Sequence, residues 1–357
     1  MENNTVIRQD FEPKHLHGFQ VSEKTSWGTL DRFGVSANQK DMKAVMDEFP
    51  EMGTPASVAT PIQFLQWLNP EVITYLTTKR DIDELLGVTM AGSWADKEVI
   101  QSAIELLGSA RPYGDKADDN LASYNVEYNG RTIVRFGEAL EVGKLEAEQS
   151  AKARIDTYGT KKLAVSEVLE VSRNLVGYYG YLEGANKTYG FLNDPDLPDY
   201  VAVASGAGGS TTWSSKTYLE IVKDLIGMIS DLQVKTGNNY NPLTTPAQLD
   251  VSLSSYQYLN TQNDLGTKSV LQWLKETYPL IEVKASSFLD GANGGANVAY
   301  LWATKLGGKG VIKQFIQDKM RFLGMDKFAK VTRESYSNAT AGVMVLQPVG
   351  VVRKTGI

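Results

Sequence analysis

Apolar residues recur at three- and four-residue steps in two long stretches of the chain, and this period predicts amphipathic helices. The stronger stretch is 146–183, which has few helix breakers before Gly180, a residue placed to end the helix. Because this stretch far exceeds the ~11–12 residues of an average helix, we expect Gly159 to divide it and to leave a spine helix of about 24 residues. A second helix is expected at 217–234.

Strand-like patterns occupy the region before the spine helix. They lie at 98–107 and 125–142, separated by the polar, turn-rich segment 108–120. The second stretch contains Asn129-Gly130, a dipeptide typical of hairpin turns. We therefore expect a long two-stranded excursion, which needs a partner surface because an isolated ribbon is barely stable in water.

Shorter elements follow the second helix. A strand at 249–253 with alternating burial, a helix at 268–278 and strands at 281–283 and 298–304 predict a mixed α+β unit. Near its end the chain alternates once more, and we expect this end to return to the spine helix.

The first 60 residues contain Gly, Asn, Ser and Pro throughout, with scattered aromatic residues and little periodicity. A free segment of this composition would be disordered, so we expect it to be ordered by contact. An extended arm lying on neighbouring subunits would supply that contact, and so would a tail packed on its own domain. The sequence leaves both open.

The composition argues against most enzyme classes. The 357 residues include no Cys and only two His, His15 and His17. The chain therefore has no disulfide framework, no thiolate zinc site and no Cys nucleophile, and it offers little for His-based catalysis. We expect no catalytic, cofactor-binding or metal-binding residues and no enzymatic activity.

Two patterns have alternative chemical interpretations. Asp81, Asp83 and Glu84 could serve as glycosidase carboxylates, but such carboxylates normally flank a cleft from separate elements. We interpret these acids as a solvated helix face. Tyr178, Tyr179 and Tyr181 could form a stacking platform for a sugar or a single-stranded nucleic acid, but their helical spacing favours core or interface residues.

Charge is unevenly distributed along the chain. The net charge is −6, yet 305–357 carries ten Lys/Arg against three Asp/Glu, a net of +7 that leaves −13 for the remainder. Such an asymmetry suits a solvated face, a basic surface that docks on an acidic copy of itself, or contact with nucleic acid. The single spacing of the basic residues favours the solvated face. No apolar run reaches the ~18–20 residues of a membrane span, and the N-terminus lacks the layout of a signal peptide.

Four stretches resemble a subfamily of the major capsid proteins of tailed bacteriophages, which have the Hong Kong ninety-seven-type capsid fold. They are TPAS at 54–57, LQWLNP at 65–70, GTKKLA at 159–164 and PVGVVRKTGI at 348–357. The order of elements is similar as well: an arm, a long hairpin excursion, a spine helix, an α+β interior and closing strands.

The resemblance implies an α+β fold with four parts. Residues 1–88 would form the N-terminal arm and 89–145 the extended β-hairpin loop. The peripheral domain, with the spine helix, would comprise 146–200 and 330–357, and the axial domain 201–329.

The resemblance also implies a function. The chain would be a structural subunit that self-assembles as hexamers and pentamers into an icosahedral shell enclosing double-stranded DNA, made in the host cytoplasm and located in the virion. The implied partners are other copies of the chain, portal, scaffolding and cement proteins, and packaged DNA held by weak non-specific contact. No coiled-coil scaffolding segment precedes the arm, so a separate scaffold protein, or none, is expected.

Ten side chains are expected to contact neighbouring subunits, and they lie on the arm, the loop tip, the spine helix and the tail: Phe11, Phe19, Trp27, Phe33, Arg111, Tyr113, Lys116, Tyr178, Tyr179 and Arg353. Two alternatives stay open. One is an encapsulin-like cargo compartment of the same fold, and the other, of a different class, is a monomeric carbohydrate-active protein.

Overall fold

The computed structural model describes residues 80–110, 121–153, 155–263 and 265–357. The helices within these ranges are α1 (Ile82–Leu86), α2 (Lys144–Ala153), α3 (Thr157–Tyr179), α4 (Tyr218–Lys235), α5 (Leu253–Tyr256) and α6 (Val270–Thr277). The strands are β1 (Val88–Met90), β2 (Glu98–Leu107), β3 (Ser123–Thr132), β4 (Val134–Gly143), β5 (Val201–Ala202), β6 (Ala247–Ser252), β7 (Ile281–Ser286), β8 (Val298–Ala303), β9 (Lys305–Leu306), β10 (Lys309–Gly310), β11 (Ile312–Lys327), β12 (Val331–Val345) and β13 (Val351–Thr355).

The predicted spine helix is α3, and its 23 residues match the expected length. The helix ends at Gly180, whose φ of 68° suits a glycine. The division of 146–183 lies before Gly159, not at it. Asp156 caps α3 by accepting a hydrogen bond of 2.8 Å from the amide of Gly159. A Cβ at Gly159 would lie 2.2 Å from that carboxylate, so glycine here serves the cap and is no helix break.

A four-stranded sheet packs against the spine helix. Its strand order is β1-β11-β12-β4, with β1 parallel to β11 and the other pairs antiparallel. Leu140, Val165, Leu169 and Tyr336 form the buried cluster between this sheet and α3. The alternation near the end of the chain predicts only the end of β12, and the sequence pattern does not predict β11.

A five-stranded sheet forms the second layer, in the order β5-β13-β8-β6-β7. Helix α4 begins with a capping box between Thr217 and Glu220 and packs beside α6 on this sheet. All six residues of β6 are buried, so the predicted alternation of burial in this strand is wrong. The reason is that β6 lies between β7 and β8 and is covered on both faces.

Sheet membership does not follow the expected boundary at residue 330. Strand β11 precedes that residue but pairs with β12 beside the spine helix, whereas β13 follows it but pairs with β5 and β8. The end of the chain thus returns to the spine helix in β12 and then enters the five-stranded sheet. The division into arm, loop, peripheral and axial domains remains a proposal; besides β11 and β13, strands β1 and β4 also depart from it, because both belong to the sheet beside the spine helix.

Strands β2 and β3 pair only with each other among the described strands and form a ribbon of ten residue pairs. The predicted turn at Asn129-Gly130 is wrong, because these residues pair with Gln101 and Ile100 inside the ribbon. A hairpin turn of the expected type needs positive φ angles, and neither residue has one. The chain leaves the ribbon at Ile133 and continues into β4, which pairs with β12.

Candidate inter-subunit surfaces

The two faces of the β2–β3 ribbon differ in polarity. Residues opposite each other in the register share a face, and successive residues alternate between the faces. One face carries six large apolar side chains and is called here the apolar ribbon face: Ile100, Ile104, Leu106, Tyr124, Val126 and Tyr128. The other face carries mainly polar side chains: Gln101, Glu105, Ser123, Asn125, Glu127 and Asn129.

The apolar ribbon face is open to solvent in the single chain. The exposed fractions of its six residues range from 38% for Val126 to 83% for Leu106. Soluble monomers rarely expose contiguous apolar patches larger than a few hundred Å², and larger ones mark interaction sites. A two-stranded ribbon also gains too little from its own pairing to be stable alone. Both arguments indicate that another surface covers this face.

The distal half of β11 provides a second exposed apolar surface. Phe322, Leu323, Met325 and the following Phe328 are between 45% and 60% exposed. Sequence reasoning missed this surface because it did not predict the strand. The available signal was the concentration of large apolar residues between the single basic residues of this segment.

Seven of the ten predicted contact residues lie outside the described residues. They are the four aromatic residues of the arm and the three residues of the loop tip: Phe11, Phe19, Trp27, Phe33, Arg111, Tyr113 and Lys116. Their role in contacts between subunits stays a prediction.

Tyr178 and Tyr179 are buried in their own chain, and this corrects the expectation that they contact a neighbour. The hydroxyl of Tyr178 donates a hydrogen bond of 2.7 Å to Asp81 and lies 2.8 Å from the hydroxyl of Ser286. Its ring stacks on Phe288 at 4.1 Å between centroids. Burial raises the pKa of Tyr179 to about 12. These side chains join the spine helix to the five-stranded sheet, which agrees with the core interpretation of their helical spacing.

Arg353 is likewise satisfied within its own chain. It is 8% exposed, its Nε donates to the carbonyl oxygen of Pro198, and its guanidinium lies 4.0 Å from the ring centroid of Tyr200. The expectation of a contact between subunits is therefore corrected for Arg353. Its position on β13 fixes the loop before β5 to the five-stranded sheet.

Of the three acids before the spine helix, Glu84 is exposed as expected, but Asp81 and Asp83 do not belong to a solvated face. Asp81 is buried against Tyr178, and Asp83 accepts from Arg173 at 2.9 Å and from Lys319 at 3.0 Å. These contacts join α1 to α3 and β11. Asp81 and Asp83 therefore hold the fold together, and the three acids lie on one short helix and its N-cap, not on separate elements as a glycosidase mechanism would require.

Part of the basic segment at the end of the chain is neutralised locally. Besides Lys319, Arg333 pairs with Glu141 at 2.8 Å and Lys354 with Asp231 at 2.6 Å. Both pairs are partly exposed, so each contributes little to stability. These contacts favour a paired, solvated face over a dedicated nucleic-acid patch.

The part of the chain that the structure describes contains no cluster of three or more potential metal-ligating side chains. Among the same residues, no helix combines the length and the apolar character needed to cross a bilayer.

Comparison with known proteins supplies the remaining evidence. The family described as Pa193 gp26 major capsid protein matches residues 51–356. None of the curated protein sequences compared with the chain matches it.

Several solved structures have a similar fold. The capsid of Myoviridae phage XM1 aligns with a TM-score of 0.67 at 17% identity, covering 85% of this chain and 100% of that chain. The capsid of a native GTA particle aligns with a TM-score of 0.58 at 10% identity, covering 85% and 99% of the two chains. The capsid of cyanophage P-SCSP1u aligns with a TM-score of 0.53 at 11% identity, covering 85% of this chain and 96% of that chain. At these identities the likeness concerns the fold.

Proposed function

Because the chain belongs to the Pa193 gp26 major capsid protein family, it is a structural subunit of a bacteriophage capsid, and we propose that its apolar ribbon face joins each copy to a neighbouring copy. The fold is the Hong Kong ninety-seven-type capsid fold. Copies of the chain associate into the shell, and the chain is located in the virion capsid. The monomeric carbohydrate-active alternative is set aside, because the family is one of structural proteins.

The observation that carries the proposal is the combination of pattern and exposure in the ribbon. Six large apolar side chains share one face, and all of them are more than one-third exposed. Burying a Leu or Ile side chain gains about 1.5–3 kcal/mol. The apolar ribbon face can therefore contribute several kcal/mol per subunit to association.

A second copy is the occupant that suits this face. A shell repeats one contact at every subunit, so a surface present in each chain needs a receiving surface in each chain. The distal half of β11 is such a surface in every copy, and it is both apolar and rimmed by basic residues. The apolar ribbon face itself carries Glu98, whose charge is complementary to those basic residues.

The finer features of the shell belong to the same proposal. Copies form hexamers and pentamers, the closed icosahedral shell encloses double-stranded DNA through weak non-specific contacts, and assembly takes place in the host cytoplasm. Portal, scaffolding and cement proteins are the further partners. The chain acts by association and not by catalysis.

The test compares the two faces of one strand. Ile104→Ser combined with Leu106→Ser removes apolar side chains from the apolar ribbon face. Glu105→Ser combined with Leu107→Ser changes the neighbouring positions, whose side chains lie on the other face. Both variants should keep the circular dichroism of the unaltered chain, because all four residues are exposed.

Sedimentation velocity at graded protein concentrations then measures the assembly threshold. The apolar-face variant should assemble only at a concentration about 100-fold higher, since two lost side chains correspond to roughly 3 kcal/mol. The control variant should assemble near the original threshold. Equal thresholds for the apolar-face variant and the unaltered chain would contradict the proposal.

A further inference from the structure

Among the residues that the structure describes, the ribbon is supported at its base and not farther out. From Leu121 to Tyr128, and from Ser102 to Ala110, every described residue is exposed. On β3, Asn129, Gly130 and Thr132 are partly buried and Arg131 is buried, where the strand meets the rest of the chain. The direction of the ribbon is therefore set by contacts at its base.

Arg131 makes the most deeply buried of these contacts. Its side chain is 3% exposed, and one of its terminal nitrogens lies 3.3 and 3.1 Å from the two carboxylate oxygens of Asp194. The same nitrogen lies 3.3 Å from Asp196. The guanidinium also lies 4.9 Å from the ring centroid of Tyr189. A charged side chain in this position needs all these partners to offset its lost hydration.

Asp194 connects the ribbon to two other elements. Its side chain is fully buried and accepts from the amide of Val345 at 3.3 Å, at the end of β12. It also accepts from the amide of Asp196 at 2.9 Å, within the loop that follows α3. Burial raises the pKa of Asp194, and Arg131 opposes that rise. One carboxylate thus fixes β3, β12 and this loop to each other.

Neighbouring contacts restrain the same strand. The Thr188 hydroxyl donates to the carbonyl oxygen of Thr132 at 2.6 Å, and the amide of Lys187 donates to the Thr132 hydroxyl at 3.2 Å. The side-chain amide of Asn129 donates to Asp196 at 2.8 Å. The two bonds to Thr132 join neutral groups, whereas the contact of Arg131 with Asp194 is a charge-assisted pair and is therefore the stronger restraint.

The segment before β2 has a separate anchor. The ring centroid of Trp94 lies 5.5 Å from the guanidinium of Arg135 and 5.1 Å from that of Arg321. The indole N–H of Trp94 donates to Ser337 at 3.3 Å. This anchor fixes where the chain enters the ribbon. The direction in which the ribbon leaves depends on β3, which Arg131 holds.

We propose that Arg131 is a positioning residue, whose contact with Asp194 fixes the angle of the ribbon and so aims the apolar ribbon face at the neighbouring copy. That the face meets a neighbouring copy rests on the proposed function, whereas the role of Arg131 in holding the ribbon rests on the contacts described above. From Arg131 to Ser123 the strand extends about 27 Å, so a rotation of about 10° at the base moves the far end by about 5 Å. A displacement of that size would misalign the apolar ribbon face with its receiving surface.

Arginine is needed at this position. One terminal nitrogen of its guanidinium contacts both oxygens of Asp194, the other donates to the side chain of Asn129 and to the carbonyl oxygen of Gly130, and the ring of Tyr189 lies against the group; a lysine ammonium has one nitrogen and can do only part of this. Arg131→Lys should hold the ribbon less firmly than arginine and more firmly than Arg131→Met.

The test measures the direction of the ribbon in the unassembled full-length chain. Because the chain has no Cys, spin labels can be placed at Glu105→Cys on the ribbon and Ser230→Cys on α4 without removing other thiols. Double electron–electron resonance gives the distribution of distances between them. The unaltered background should give a narrow distribution, and Arg131→Met should shift its mean by about 5 Å or broaden it about twofold.

Two variants complete the design. Arg131→Lys, which keeps the charge and the fold, should give an intermediate width. Arg333→Met, which breaks an exposed ion pair with Glu141, should leave the distribution unchanged. Circular dichroism confirms that each variant tested is folded.

A distribution unchanged in both Arg131 variants would overturn the positioning role. Assembly of the same variants is measured separately by sedimentation. A displaced ribbon together with an unchanged assembly threshold would contradict the proposed function of the ribbon while leaving the positioning of the ribbon by Arg131 intact.

Discussion

The side chain of Ile82 packs directly on Gly177 of the spine helix, where an added Cβ atom would lie 2.6 Å from Cγ1 of Ile82. The backbone amide of Ile82 also donates a hydrogen bond of 3.2 Å to the side chain of Asn174, one turn earlier on α3. A glycine inside a long helix is otherwise unfavourable. Its presence here allows α1 to approach α3 closely.

Replacing Gly177 with Ala should therefore destabilise the chain. Alanine gains up to about 1 kcal/mol in helix propensity, but the forced displacement of Ile82 costs about 1–3 kcal/mol. Gly227 in α4 is the matched control, because a Cβ there meets nothing within 4 Å. We expect Gly177→Ala to lower and Gly227→Ala to raise the thermal unfolding temperature of the unassembled chain. If the unfolding temperature rose in both variants, the contact between Gly177 and Ile82 would not be tight enough to exclude a Cβ atom.

Asp250 should make stability depend on pH. It is fully buried on β6 and accepts hydrogen bonds from Gln248 at 2.6 Å and Trp302 at 2.8 Å. Burial raises the pKa of Asp250 to about 7. This value lies above the unfolded pKa of ~3.9. The contribution of Asp250 to the free energy of unfolding is therefore fully present below ~3.9 and is lost as the pH rises through about 7.

Asp250→Asn removes this dependence, since the amide is neutral at every pH. The free energy of unfolding of the variant, relative to the unaltered chain, should increase by about 2–3 kcal/mol between pH 5 and pH 8. Chemical denaturation at both pH values measures the difference. Asp326→Asn, at an exposed carboxylate, serves as the control. If the free energy of unfolding changed equally between the two pH values in both variants, the buried Asp250 would not be the cause of the pH dependence.

Lys216 is buried with its charge. Its Nζ donates to Asp224 at 2.6 Å and to the carbonyl oxygen of Ala204 at 2.7 Å, and its side chain is 0% exposed. Lys216→Met leaves Asp224 without a counter-charge, which should cost about 3–5 kcal/mol. Lys268→Met, at an exposed pair with Glu276, should change stability by less than about 1 kcal/mol. Similar losses in denaturant titrations of the two variants would contradict this account of the buried pair.

The elements that the sequence predicted well are those set by local chemistry. The spine helix and α4 have a helical apolar period; α3 ends at Gly180, and α4 begins at the Thr217 cap. The predicted turn at Asn129-Gly130 is wrong for the opposite reason. Its turn preference is local, whereas pairing with β2 along ten residues is a property of the whole ribbon, and the pairing prevails.

The candidate site was predicted only in part. The ribbon and its need for a partner followed from the strand patterns, but its apolar face required the register that places Leu106 opposite Tyr124 and Ile104 opposite Val126. The burial of Tyr178 could not be predicted either. Helical spacing places it on an apolar face but does not say whether its own chain or another covers that face.

Electron cryomicroscopy of particles assembled from the purified full-length chain tests the central claim most directly. The account predicts closed shells of hexamers and pentamers in which Leu106 and Tyr124 of each ribbon are buried against another copy. Shells in which the apolar ribbon face remains exposed to solvent, or a chain that stays monomeric under all assembly conditions, would contradict it.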